Sequence, residues 1–281
     1  MSSYFRPQAI EAALETLAAG PRTVLAGGTD YYPARVGRPC DEDILDISAL
    51  TVLRGIEEHD DHWRLGALTS WSALAGAGLP PWFAGLRLAA REVGGEQIQN
   101  AGTLGGNLCN ASPAADGVPP LLAMDALIEL ASVAGVERLP LAGFILGNRR
   151  TARRPDQLLT AILVPKPRSA RAGGHFLKLG ARRYLVISIV MVAGSLEIDA
   201  DGRVAAAGIA VGACAPVARR LPGAERTLLG APIDSRLGAR VQPEHLAGLA
   251  PIDDVRASAG HRSDVALTLV RRTLDELAAS L

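Results

Sequence analysis

Up to Ser48 the chain alternates helical and strand periodicity around one glycine pair, Ala26-Gly27-Gly28-Thr29-Asp30. Pro7 to Ala19 carries apolar residues at helical spacing and stops at Gly20-Pro21, a glycine followed by a residue that cannot continue a helix. Thr23 to Ala26 reads as a short strand. The glycines break it, Thr29 or Asp30 can cap a short helix toward Val36, and Asp43 to Ser48 reads as the next strand. Helix, strand, glycine turn, helix, strand leaves few arrangements open and predicts a small α/β unit with parallel strands.

From Arg54 the pattern changes. Arg54 to Glu58 and Trp63 to Leu68 are short strands around the polar cluster His59-Asp60-Asp61-His62, a hairpin signature that opens a second subdomain. Pro81 to Val93 reads as a helix, and a long glycine- and asparagine-rich loop is expected from Gly94 to Ser112, before the apolar stretch Val118 to Met124. Strands are expected at Ala126 to Ala131 and Leu158 to Val164, and Pro165-Lys166-Pro167 reads as a linker. A meander follows, from Phe176 to Leu179 through Ile187 to Ile198 and Val204 to Val211, the last two joined by the Asp-Gly turn of Asp199 to Gly202. Ser263 to Leu281 is a closing amphipathic helix. Boundaries therefore fall near residues 54 and 166.

Composition narrows the function classes. The 281 residues are 48% hydrophobic with only 4% aromatic, so the interior is packed mainly by Ala, Val, Leu and Ile. Lys+Arg and Asp+Glu balance at 29 each, which removes the basic footprint of nucleic-acid binding and of anionic membranes. No apolar run reaches the roughly 20 residues of a bilayer helix. The N-terminus lacks the apolar core of a signal peptide, and a cytoplasmic protein is expected. Cys40, Cys109 and Cys214 lie far apart without CxxC spacing, which supports neither a disulfide framework nor a metal site.

There is no P-loop Gly-Lys-Ser/Thr, no GxGxxG and no GxSxG, and the histidines 59, 62, 175, 245 and 261 are scattered, as solvated or structural residues are. Two glycine loops remain: Ala26 to Asp30, between a strand and a helix start, and Thr103-Leu104-Gly105-Gly106-Asn107 in the second subdomain. Glycine lets backbone N–H groups converge on an anion, and a helix N-terminus adds partial positive charge. Two such loops from different subdomains suit a diphosphate bridging a cleft, one amide cluster per phosphate, with Thr29, Thr103 and Asn107 as neutral donors.

The second loop runs on into Leu108 to Asp116. AGGTD together with TLGGNLCNASPAAD resembles the FAD-binding medium subunit of the xanthine dehydrogenase and carbon monoxide dehydrogenase family of molybdenum hydroxylases. LDISALTVLRGI, NRRTARRPDQLLTAILVP, KLGARRYLVISIV and RASAGHRSDVALTLVRRTL extend the resemblance over nearly the whole chain. It implies an α+β fold: a two-subdomain FAD-binding module of the vanillyl-alcohol oxidase / p-cresol methylhydroxylase type, plus a C-terminal subdomain with an antiparallel sheet and helices. The implied division is 1–53, 54–166 and 167–281, the last of the carbon monoxide dehydrogenase flavoprotein C-terminal type.

The resemblance also implies the site. Val24, Leu25, Ala26, Gly27, Gly28, Thr29, Asp30 and Tyr31 would wrap the FAD diphosphate, with Thr103, Gly105, Gly106 and Asn107 in the matching role. Asn110, Asp116, Leu159 and Lys178 match further cofactor positions; an Asp can accept hydrogen bonds from ribose or ribityl hydroxyls. No side-chain acid or base and no metal ligand is implied, because the transfer chemistry belongs to the cofactor. Implied partners are a molybdopterin-containing large subunit and a two-iron two-sulfur small subunit, with electrons leaving through FAD to NAD+, a quinone or oxygen. The chain departs from the family where members often carry an acidic residue after Arg182-Arg183; here Tyr184-Leu185-Val186 follows. Tyr31, Tyr32 and Tyr184 are the candidates for stacking on a flavin. Other readings are a flavin-free nucleotide-binding scaffold and a stand-alone non-covalent flavin oxidoreductase.

Overall fold

The computed structural model describes residues 2–37, 39 and 41–281; Cys40 lies outside them. Strand β1 (Tyr4–Phe5), helix α1 (Ile10–Ala19), β2 (Thr23–Leu25) and β3 (Ile44–Asp46) form the opening unit. Its sheet is parallel throughout, in the order β1-β3-β2, with Thr23 opposite Ile44 and Leu25 opposite Asp46. The α/β expectation holds, and β1 joins it as an exposed edge too short to carry a periodicity. Helix α1 turns Ala13 and Leu17 onto Leu45, Ile47, Leu50 and Leu53, a small separate core. The helix expected from Thr29 shrinks to a single 3-10 turn at Pro33–Arg35. Three residues before Gly37 are too few to propagate an α-helix.

The second unit is antiparallel. Its sheet runs β4 (Ile56–Glu58), β5 (His62–Gly66), β10 (Leu158–Pro165), β6 (Leu127–Ser132), β7 (Gly135–Pro140). Helices α2 (Trp71–Gly76) and α3 (Ala84–Glu92) pack beside it, and the short α7 (Leu141–Phe144) leads into the hairpin β8 (Ile145–Gly147) and β9 (Arg150–Thr151). β7 was not foreseen: it is an edge strand, nearly all exposed, with no apolar alternation to mark it.

The stretch 94–112 is not a loop. It folds into α4 (Glu96–Ala101) and α5 (Leu104–Asn110), followed by α6 (Val118–Ala123). Glycine disfavours helices on its own, but here a local cap and a tertiary contact outweigh that. Thr103 caps α5, its Oγ1 accepting from Gly106 N–H at 3.1 Å. Gly105 lies against Ala67, where a β-carbon would come within 2.9 Å of the Ala67 carbonyl oxygen.

The last unit is a four-stranded antiparallel sheet, β11 (Arg171–Leu179), β12 (Val190–Ile198), β13 (Val204–Gly212) and β14 (Arg219–Arg220), with α8 (Pro222–Leu228) and α9 (Ala259–Ser280). β12 is buried on both faces, which is why it reads as one continuous apolar run. Val190, Val192, Leu196 and Ile198 face a core that includes Val270 and Leu274 of α9. Met191 and Ala193 point the other way, into the core of the second unit with Phe83, Leu86 and Leu121.

Candidate functional site

β2 ends at Leu25, and the chain turns through Ala26 to Asp30 at the carboxyl end of the parallel strands, where open α/β sheets bind ligands. Gly28 sits at φ +69°, left-handed backbone that favours glycine. The N–H groups of Gly27, Gly28, Thr29 and Asp30 have no acceptor among the described residues. Gly27 abuts α4: a β-carbon there would stand 1.9 Å from the Ala101 carbonyl oxygen. The first glycine loop is thereby locked to the turn that starts α5.

That turn is held by the segment before α2. Leu104 N–H donates to the Thr69 carbonyl at 3.0 Å and Gly105 N–H to that of Ala67 at 2.8 Å. Gly106 N–H goes to the Thr103 hydroxyl and Asn107 N–H to the Thr103 carbonyl at 3.0 Å. The expected pair of amide clusters thus differs between the loops. The first leaves its amides open, whereas those opening α5 are already used within the protein. What α5 still offers are the Thr103 hydroxyl and Asn107, whose Oδ1 is buried without a hydrogen-bond partner.

Between the two loops lies a cleft of about 540 Å³, within the roughly 300–1,000 Å³ of small-molecule sites. Val24 to Tyr31 line one wall; Thr103, Gly105, Gly106, Asn107 and Asn110 line the other, with Leu159 between them. Trp71, Ile98 and the hairpin residues Arg149, Thr151 and Arg153 also belong to the lining. Sequence reasoning did not single these out; the arginine-rich segment NRRTARR was the available signal, hidden by an overall excess of Arg over Lys. Of the aromatic candidates Tyr31 lines the cleft. Its ring already carries the Arg35 guanidinium at 3.7 Å and the edge of Tyr32 at 5.3 Å between centroids. Tyr184 is exposed, with the Arg183 guanidinium 5.3 Å from its ring centroid. Cys109 also lines the cleft, and burial pushes its thiol up to about 11, so it stays protonated at neutral pH.

Asp116 and Lys178 do not line the cleft; they meet each other. Lys178 Nζ donates to Asp116 Oδ2 at 2.8 Å and the Ser188 hydroxyl to Oδ1 at 2.6 Å, all three buried or nearly so. Burial raises the Asp116 carboxyl above the ordinary range, against the pull of the Lys178 ammonium. The pair stands one residue behind the cleft wall. Lys178 also donates to the Glu92 carbonyl, next to the lining residue Val93, while Gly117 packs against Trp71 and the unpartnered Asn107 Oδ1.

Residues 1–167 match a family described as the FAD binding domain in molybdopterin dehydrogenase. The chain belongs to that family. Residues 175–277 match a second family, the CO dehydrogenase flavoprotein C-terminal domain. Among curated relatives, the xanthine dehydrogenase FAD-binding subunit of Escherichia coli O157:H7 is 30% identical over 99% of this chain and 97% of its own length. The nicotinate dehydrogenase FAD-subunit of Eubacterium barkeri is 31% identical over 82% of this chain and 80% of its own. The solved reconstituted CO dehydrogenase from Oligotropha carboxidovorans superimposes with a TM-score of 0.90 at 27% identity, over the whole of this chain and 99% of that one. As a member of this FAD-binding family the chain is an FAD-binding subunit of an oxidoreductase. No helix among the described residues is long and apolar enough to cross a membrane.

Proposed function

We propose that the cleft holds FAD with its diphosphate against the open amides of Gly27, Gly28, Thr29 and Asp30, and with Thr103 and Asn107 on the opposite wall. The observation that carries this is the row of N–H groups without acceptors in a loop that lines, together with Thr103 and Asn107, a cleft of suitable size. Backbone N–H groups with no acceptor in the protein are donors that a phosphate oxygen can take up. FAD when bound supplies the hydride and one-electron chemistry. The chain's residues bind it, fix its position and keep the diphosphate in a walled cleft. Subdomains 1–53 and 54–166 form the walls, and 167–281 closes behind them through Lys178 and Ser188.

In this reading electrons enter from two-iron two-sulfur clusters on a small partner subunit, supplied by a molybdopterin-containing large subunit, and leave to NAD+, a quinone or oxygen in the cytoplasm. The relatives' names as dehydrogenase subunits support it. The test is the native complex purified through this chain. Oxidised-flavin absorbance, FAD released on heating, and stoichiometric molybdenum and iron in the co-purifying chains are expected. A colourless chain that cannot be reconstituted with FAD would overturn the cleft assignment and favour a scaffold. A flavin-bearing chain without partners would point to a stand-alone oxidoreductase.

A further inference from the structure

The diphosphate reading leaves a charge problem that the glycine loops do not solve. A diphosphate diester is dianionic at neutral pH. Only the first loop has amides to spare, and Asp30 on the same wall adds a negative charge. Cations must come from side chains, and Arg22, Arg35, Arg149 and Arg153 line the cleft.

Most of these are committed elsewhere. Arg22 pairs with Asp43 at 3.7 Å and bonds the Ser3 hydroxyl. Arg35 pairs with Glu42 and covers the Tyr31 ring. Arg153 turns back on its own segment, donating to the Gln157 carbonyl at 2.6 Å. The Arg149 guanidinium, by contrast, has neither an ion pair nor a hydrogen bond among the described residues.

The backbone holds Arg149 in place. It stands at φ +56°, left-handed backbone that a β-carbon disfavours, on the turn between β8 and β9. Its N–H donates to the Ala111 carbonyl at 3.3 Å, and Ala111, at φ +49°, is the left-handed cap that ends α5. Two unfavoured conformations hydrogen-bonded to each other thus tie the hairpin to the helix that forms one wall of the cleft. A glycine would sit at position 149 with less strain, so the arginine is held there at a cost to stability.

We propose that Arg149 is a phosphate-binding residue of this cleft, supplying the positive charge that the committed amides of α5 do not, so that the site discriminates flavin dinucleotide from uncharged flavin. This rests on the assignment of the cleft to the FAD diphosphate. Guanidinium is suited to the role, since it stays charged and bonds phosphate oxygens in a planar fork.

The test uses the full-length chain stripped of flavin and titrated with FAD, ADP and riboflavin, alongside Arg149→Ala, Arg149→Gly and Arg149→Lys. Losing a charge-assisted hydrogen bond predicts about a ten- to hundred-fold weaker FAD affinity for Arg149→Ala. ADP should weaken in parallel, riboflavin should be unchanged, and Arg149→Lys should retain part of the affinity. Arg149→Gly relieves the left-handed backbone, so it should melt no lower than the parent chain and still lose FAD affinity, which separates charge from folding. Wild-type chain that binds no FAD would overturn the cleft assignment itself. Wild-type chain that binds FAD while Arg149→Ala and Arg149→Gly bind it equally well would overturn this inference alone. An equal loss of riboflavin would also overturn it, in favour of a contact to the flavin ring.

Discussion

At the scale of single residues, the glycines of the two loops are constrained by the protein before any ligand is considered. Gly27 has a backbone carbonyl where its β-carbon would be, and a β-carbon on Gly28 would meet the Tyr32 ring at 2.6 Å as well as a left-handed φ. Gly20, at the end of α1, has nothing within 4 Å. Gly27→Ala is therefore expected to destabilise the chain by about 1–3 kcal/mol, the usual cost of overpacking, whereas Gly20→Ala should change little. Urea midpoints of both variants check this; equal midpoints would mean that the contact with Ala101 gives way freely. The sequence picked out both glycine pairs, but only the first lies in a loop; Gly105-Gly106 stands in the first turn of α5. The sequence could not reveal why Gly27 must be glycine, since Ala101 is remote in sequence and adjacent only in the fold. The same holds for Asp116 and Lys178, whose ion pair joins the stretch before α6 to β11, 62 residues further along the chain.

At the scale of elements, legibility followed burial. β10 and β12, buried on both faces, were plain as apolar runs, while β1 and β7, exposed edges, left no pattern. α4 and α5 were hidden for another reason: their glycines and asparagines favour loops, and of the two devices that override this preference at α5, the Thr103 cap is local but the contact with Ala67 is tertiary. The start of α9 offers a further test. Arg262 is fully buried and donates to the Ile189 and Ala213 carbonyls at 2.5 and 3.1 Å, and to Asp254 Oδ1 at 2.7 Å. Hydrogen bonds from Arg256, helped by Arg262, hold the Asp254 carboxyl far below the usual carboxylate range. A carboxyl depressed in the folded state adds stability above its unfolded value of about 3.9 and loses it as the pH falls toward the folded one. Asp254→Asn should thus melt well below the parent chain at pH 7, with the gap narrowing as the pH drops below about 4. A gap independent of pH would mean that Asp254 acts through shape alone.

At the scale of the whole molecule, the C-terminal sheet is a wall of the second unit's core rather than an appendage. Phe176, Met191, Ala193 and Ala210 are buried in one cluster with Trp63, Phe83 and Leu121. The Asp116–Lys178 pair is the polar counterpart of that apolar seam, with side chains only 9% and 6% exposed. Such a pair contributes little net stability compared with apolar residues of the same volume, but removing one partner strands a buried charge. Asp116→Asn should therefore cost about 3–5 kcal/mol. Asp116→Leu combined with Lys178→Met should recover most of that, less the cost of a Ser188 hydroxyl left without its acceptor. Because the pair lies behind Val93 and Gly117 and not on the lining, the double variant should also keep its flavin. Thermal melts and flavin content of the two variants, measured side by side, separate the roles. A double variant as stable as the parent chain but emptied of FAD would mean that Asp116 and Lys178 exchange their mutual contact for one with the cofactor when it binds. Closure of the C-terminal subdomain and occupancy of the cleft would then be a single event.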